Sequence, residues 1–260
     1  MARINNKNER QIANKKAHKQ RISKQPNLER QVTERSEKMR ILIVCEGENT
    51  EVDYFNEFKK FFKINNAEII VIASNPKTPN IRAKGTNPLK IVQKANEMYK
   101  LAKKNKKPYD KVWCVFDHDP RSDNPKKSIE FNNAIKKAES LGFDVAYSNQ
   151  SFEFSLLLHF EDSSGSPLHR DLFYDKINSY LKKYNLEYDK DKKHITPAIF
   201  EILQAIDSKE GKTRQELAVE RAKRIIEKWE KADPSRSNPA KEESSTTVFK
   251  LVEELINYKS

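Results

Sequence analysis

Cysteine is scarce in this 260-residue chain: Cys45 and Cys114 lie far apart, each inside an apolar run. Neither belongs to a CxxC pair, which argues against a structural zinc site or a disulfide framework and makes a reducing cytoplasm the expected compartment. Long apolar runs are lacking as well. No stretch approaches the roughly 20 residues that a membrane helix needs. The first residues are too polar for a signal peptide, which requires an apolar segment behind its basic residues, so a soluble protein without membrane contact is expected. Glycine is rare, at five residues. There is no Gly-rich P-loop, so nucleotide hydrolysis by this chain is not expected. No tyrosine stands in a nucleophile context, and no internal repeat is visible.

What is present is charge, unevenly spread. Residues 1–40 carry twelve Lys/Arg against four Glu, so +8 of the net +12 lies in the first forty residues. Such a basic arm attracts polyanions through counterion release, although a solvated tail has the same composition. Residues 1–38 therefore read as a basic, flexible arm or as a helix that orders on a partner. The remaining 36% hydrophobic, 34% charged composition is enough for one sizeable core.

Hydrophobic patterning predicts an α/β fold. Arg40–Cys45 holds an unbroken apolar run, as in a strand buried on both faces. A helix follows over Glu51–Phe62, with Tyr54, Phe55, Phe58, Phe61 and Phe62 at helical spacing. Next come a strand at Ala67–Ala73, a polar loop at Ser74–Asn87 and a helix at Pro88–Lys104. A strand at Val112–Phe116, a helix at Lys127–Ser140 and a short strand at Asp144–Tyr147 complete the alternation. This order implies a parallel sheet of about four strands flanked by helices. After Ser148 the segments near 152–160, 171–183, 196–206, 214–231 and 247–258 all read as helical. Residues 39–160 thus form the α/β domain and residues 161–260 a helical portion that packs on it or on a partner, with Ser151 and Thr246-Thr247 as expected helix caps.

In a parallel sheet, ligands bind beyond the carboxyl ends of the strands. Glu46 follows the first strand directly, and Asp117 and Asp119 follow the third. If those strands are neighbours, three carboxylates converge on one edge. An extended Asp117-His118-Asp119 segment would project both aspartates to one side and His118 to the other. Oxygen ligands of this kind suit Mg²⁺ or Mn²⁺, leaving coordination positions for phosphate oxygens and water. Strand-end acids also cap the next helix or stay solvated, so any one of them alone means little.

The runs ILIVCEGENTEVDYF (41–55) and VWCVFDHD (112–119) resemble a Toprim domain, which places a glutamate after its first strand and a DxD after a later one. Farther on, YSNQSFEFSLLLHF (147–160) and NPAKEESSTTVFKLVEEL (238–255) resemble the RloB-like family of bacterial Toprim proteins from restriction and phage-defence loci. The resemblance implies that Glu46, Asp117 and Asp119 are the metal-site positions. It further implies a Mg²⁺-dependent nuclease, acting on RNA or DNA in anti-phage defence beside an ABC- or AAA-type ATPase. The alternative is a scaffold that binds nucleic acid or regulates the ATPase without cutting. Toprim enzymes often carry a further acid two positions after the DxD; here that position is Arg121, which favours a single metal.

Secondary candidates each have a plainer counterpart. Glu153 completes the acidic cluster or simply sits at a helix N-terminus. Glu48 is a substitute ligand or a solvated turn acid. His159 is a proton donor or a buried structural histidine, and His118 is read as structural. Lys77, Arg82, Lys84 and Arg121 would grip a phosphate backbone, or are solvated loop cations. Asn149 is a weak phosphate or base contact. Self-association is left open.

Overall fold

The computed structural model describes residues 38–74, 87–119, 125–163 and 168–259. Strands β1 (Met39–Cys45), β2 (Ala67–Ala73), β3 (Lys111–His118) and β4 (Asp144–Asn149) form one sheet in the order β2-β1-β3-β4, every neighbouring pair parallel. The expected α/β architecture is therefore observed. Between the strands run α1 (Thr50–Phe61), α2 (Pro88–Lys104) and α3 (Pro125–Ser140). Five helices follow: α4 (Glu153–Leu157), α5 (Asp171–Leu181), α6 (Pro197–Gln204), α7 (Arg214–Ala232) and α8 (Val248–Ile256).

Alternation along each strand explains the unbroken apolar runs. Ile41, Ile43 and Cys45 of β1 face one core with α1 and with α4 through α8, whereas Leu42 and Val44 face a second core with α2 and α3. Both faces are covered, so every residue of 41–45 is fully buried. The two cysteines fall on opposite faces and are free thiols.

Three local expectations differ from the structure. β3 runs on through His118 and β4 through Asn149, because parallel pairing continues to Asp117↔Ser148 and His118↔Asn149. The helix after β4 is short, and its N-cap position falls on Phe152 rather than Ser151. Thr247 does not cap α8 with its side chain. Its hydroxyl instead accepts the Tyr147 N–H of β4 at 2.9 Å, and the Thr247 N–H donates to the Tyr147 carbonyl at 2.8 Å. An antiparallel bridge, Ser148↔Thr246, thus lies against the outer side of β4 and occupies backbone groups that an edge strand leaves open.

Candidate functional site

Because β1 and β3 are neighbours, their carboxyl ends meet. Cys45 pairs with Val115, and the next residue, Glu46, donates its N–H to the Val115 carbonyl at 2.9 Å. That places Glu46 beside the end of β3, where its Oε2 accepts the Asp117 N–H at 3.0 Å. Asp117 Oδ2 in turn accepts the Phe152 N–H at 3.1 Å, tying β3 to the entry of α4. Glu46, Glu48, Asp117, Asp119 and Glu153 all line one cavity of about 330 Å³. His118 points the other way, as expected: its ring packs 4.9 Å from that of Phe131 and bonds Asn149 Oδ1 and Ser128 Oγ.

Glu51, which the sequence reading did not single out, completes the acidic wall. It sits in the first turn of α1, where an acid is ordinarily a favourable partner of the helix dipole. Here it is buried, and its Oε1 accepts the Gly47 N–H at 3.1 Å. A Cβ on residue 47 would overlap the Glu51 carboxylate, so the glycine after Glu46 is what lets Glu51 approach the turn.

Glu153 has its own surroundings. It is 3% exposed, and its Oε1 accepts the hydroxyls of Tyr174 and Tyr188, each at 3.0 Å. Tyr188 also bonds Thr50 Oγ1 at 2.7 Å. Two cations face the acids. Arg170 Nη1 lies 3.3 Å from Asp119 Oδ2, and Lys193 Nζ lies 3.8 Å from Glu153 Oε1.

With Asp191, seven carboxyl groups line a cavity with two cations, Arg170 and Lys193. Negative charge is in excess, and the proton affinities follow. Burial, with Glu51 adding to it, pushes Glu46 up to about 7 against the pull of the Asp117 N–H. Burial and Glu153 likewise raise Glu51 to about 7. Asp117 is driven well above the carboxylate range by burial and by Glu51, Glu46 and Glu153. Glu153 moves the other way: burial works to raise it, but the Lys193 ammonium first, then hydrogen bonding from Ser151, its own backbone N–H and the Tyr174 hydroxyl, outweigh burial and hold it below the usual value.

The donor set is all oxygen and carries surplus negative charge, which is the chemistry that accepts a hard divalent cation. As placed, however, no three His, Cys, Asp or Glu side chains among the described residues stand close enough together to hold an ion. The acids surround the cavity and would have to turn inward to share one.

The other candidates lie elsewhere. His159 is buried away from the cavity, its ring against the Ser155 and Leu156 carbonyls and Gln215, and burial pushes it down to about 4. Asn149 is consumed by His118 and by the carbonyls of Pro239 and Ala240. Lys77, Arg82, Lys84, Arg121 and residues 1–37 lie outside the described residues. Arg170, Lys193, Tyr174 and Tyr188 were not anticipated: the two cations reach the cavity and the two tyrosines bond Glu153, all from 17 to 40 residues beyond it, with no local pattern to mark them.

No helix among the described residues is long and apolar enough to cross a membrane. Comparison with curated proteins and with solved structures gave no match. A family model described as RloB-like protein matches residues 41–255, a span that begins in β1 and ends in α8 and so takes in every residue of the acidic cavity. On that match, the chain belongs to the RloB-like protein family.

Proposed function

We propose that the acidic cavity hydrolyses phosphodiester bonds of RNA or DNA with the aid of a divalent cation, Mg²⁺ or Mn²⁺. One observation carries the reading: carboxylates from the ends of β1 and β3 and from the starts of α1 and α4 line one cavity and raise one another's proton affinity. Such crowding is unfavourable unless positive charge is added, and a bound cation would relieve it. Glu46, Asp117 and Asp119 would hold the ion once turned inward. When bound, it would supply Lewis-acid polarisation of the phosphate and ease deprotonation of a water.

The chain's own groups then have separable tasks. Glu51, with a proton affinity near neutrality, is suited to move a proton on Oε2, the oxygen that the Gly47 N–H does not engage. Glu153 is held ionised by Lys193 and two tyrosine hydroxyls, so it maintains negative charge rather than exchanging protons. Phe152 and the turn 46–49 supply walls of the cavity. Family membership supports the further proposal of a role in anti-phage defence beside an ABC- or AAA-type ATPase.

A second reading, a subunit that binds nucleic acid or an ATPase without cutting, is favoured by the dispersed placement of the carboxylates. Cleavage separates the two. Purified protein with Mg²⁺ and the neighbouring ATPase should cut at least one member of a panel of tRNA, rRNA and DNA. EDTA should abolish the cutting, and Asp117→Asn should lower it by about 100-fold or more. An intact panel would overturn the nuclease reading, as would full activity in Asp117→Asn.

A further inference from the structure

Lys193 is placed at some conformational cost. Its φ is +54°, in the left-handed region that a side chain with a Cβ seldom adopts. The backbone around it is pinned to the turn after β1: Asn49 Nδ2 donates to the Lys192 carbonyl at 2.7 Å and Thr50 Oγ1 to the Lys193 carbonyl at 3.0 Å. The result aims the ammonium across the face of Tyr174, 5.5 Å from its ring centroid, into the acidic cavity.

Lys193 is the counter-ion of Glu153, but it acts through charge alone: the 3.8 Å separation exceeds hydrogen-bond length, and Glu153 Oε1 already accepts two tyrosine hydroxyls, so the ammonium donors are not spent on Glu153. The Lys193 side chain also keeps 39% of its surface exposed. On the other side, Arg170 engages Asp119 and the Gln150 carbonyl through one nitrogen, Nη1, and its planar fork has two more nitrogens to offer. Both cations therefore reach the cavity with hydrogen-bonding capacity that the surrounding acids do not use.

We propose that Lys193 and Arg170 form a phosphate-binding subsite in this cavity, taking the non-bridging oxygens of a phosphoryl group while the carboxylates take the cation. The inference rests on the phosphodiester reading and adds to it the residues that hold the substrate's phosphate. An anion would be repelled by the acids alone, so binding should require the divalent ion. Guanidinium and ammonium groups are the natural partners of such oxygens, the first as a fork and the second as a point charge.

The test is calorimetric titration of inorganic phosphate into the full chain in millimolar Mg²⁺, with circular dichroism to verify the fold. Lys193→Met and Arg170→Met should each weaken phosphate binding by about tenfold, the loss of one charge-assisted bond. Lys193→Arg, which keeps the charge, should stay within about threefold of the native chain. The proposal falls if the native chain binds no phosphate, if the methionine variants bind it unchanged, or if Lys193→Arg loses as much as Lys193→Met. The two readings fail separately. Phosphate binding lost in the methionine variants, alongside an uncut nucleic-acid panel, would keep the subsite and remove the nuclease. Cutting abolished in Asp117→Asn, with phosphate affinity unmoved in both methionine variants, would do the reverse.

Discussion

Gly47 and Glu51 show how a single residue type can decide what a turn presents. The glycine leaves room for a carboxylate that a Cβ would displace, and that carboxylate presses on Glu46 and Asp117. Glu46 and Glu51 therefore bind protons more tightly in the folded chain than their ordinary value of 4.5 allows. The folded state takes up protons that the unfolded state releases, so this contribution is full below about pH 4.5 and is lost as pH rises through about 7. Glu153, held low, acts in a separate window: its contribution is present above 4.5 and is lost on further acidification. Without divalent cation, urea unfolding should show stability falling between pH 5 and pH 8 by at least ~1 kcal/mol, and Glu51→Gln should flatten the slope. A stability that rises over that range in the native chain would contradict the assignment. Glu46, Asp117 and Asp119 were legible in the sequence because they come just past the apolar runs 41–45 and 112–116, although Asp117 itself still pairs within β3. Glu51 was not, since a first-turn acid on an amphipathic helix has an ordinary explanation.

At the scale of elements, the strands were the readable part. A run buried on both faces carries no polar residue until the cavity end of the strand, so 41–45 and 112–116 announce themselves and nearly fix where the site begins. The far side of β4 was hidden. Thr246 and Thr247 look like caps for α8 in sequence; Thr246 Oγ1 does accept the Val248 N–H at 3.2 Å, but both threonines also bond the β4 backbone about a hundred residues earlier, a pairing that local pattern cannot reveal. Thr247→Val keeps the shape but leaves the buried Tyr147 N–H without that acceptor. It should destabilise the chain by roughly 1–3 kcal/mol in urea unfolding. A change under ~0.5 kcal/mol would mean that the hydroxyl is dispensable and that the threonine serves its helix after all. The segment 188–194 was likewise illegible, since Tyr188 and Lys193 meet Thr50 across 138 and 143 residues.

At the scale of the whole molecule, charge is divided between an acidic cavity and a strongly basic sequence over the first forty residues. Under the proposed function, the basic segment would hold a polyanion while a cation offsets the repulsion at the cavity. Nucleic-acid affinity should then fall linearly with the logarithm of salt. Changing Lys15, Lys16 and Lys19 to Gln should reduce that slope by about 2–3, close to one unit per lost phosphate contact. An unchanged slope, measured by fluorescence anisotropy on a labelled duplex, would remove the arm from nucleic-acid contact.

The central claim, that the carboxylates at the ends of β1 and β3 form a divalent-cation site, is tested most directly by titrating Mn²⁺ into the full chain and following the free ion by electron paramagnetic resonance. Saturable binding at one site is predicted, weakened by about tenfold or more in Asp117→Asn and unchanged in Glu139→Gln, whose acid lines a different cavity. No saturable binding at millimolar Mn²⁺, or equal binding in Asp117→Asn, would contradict the claim.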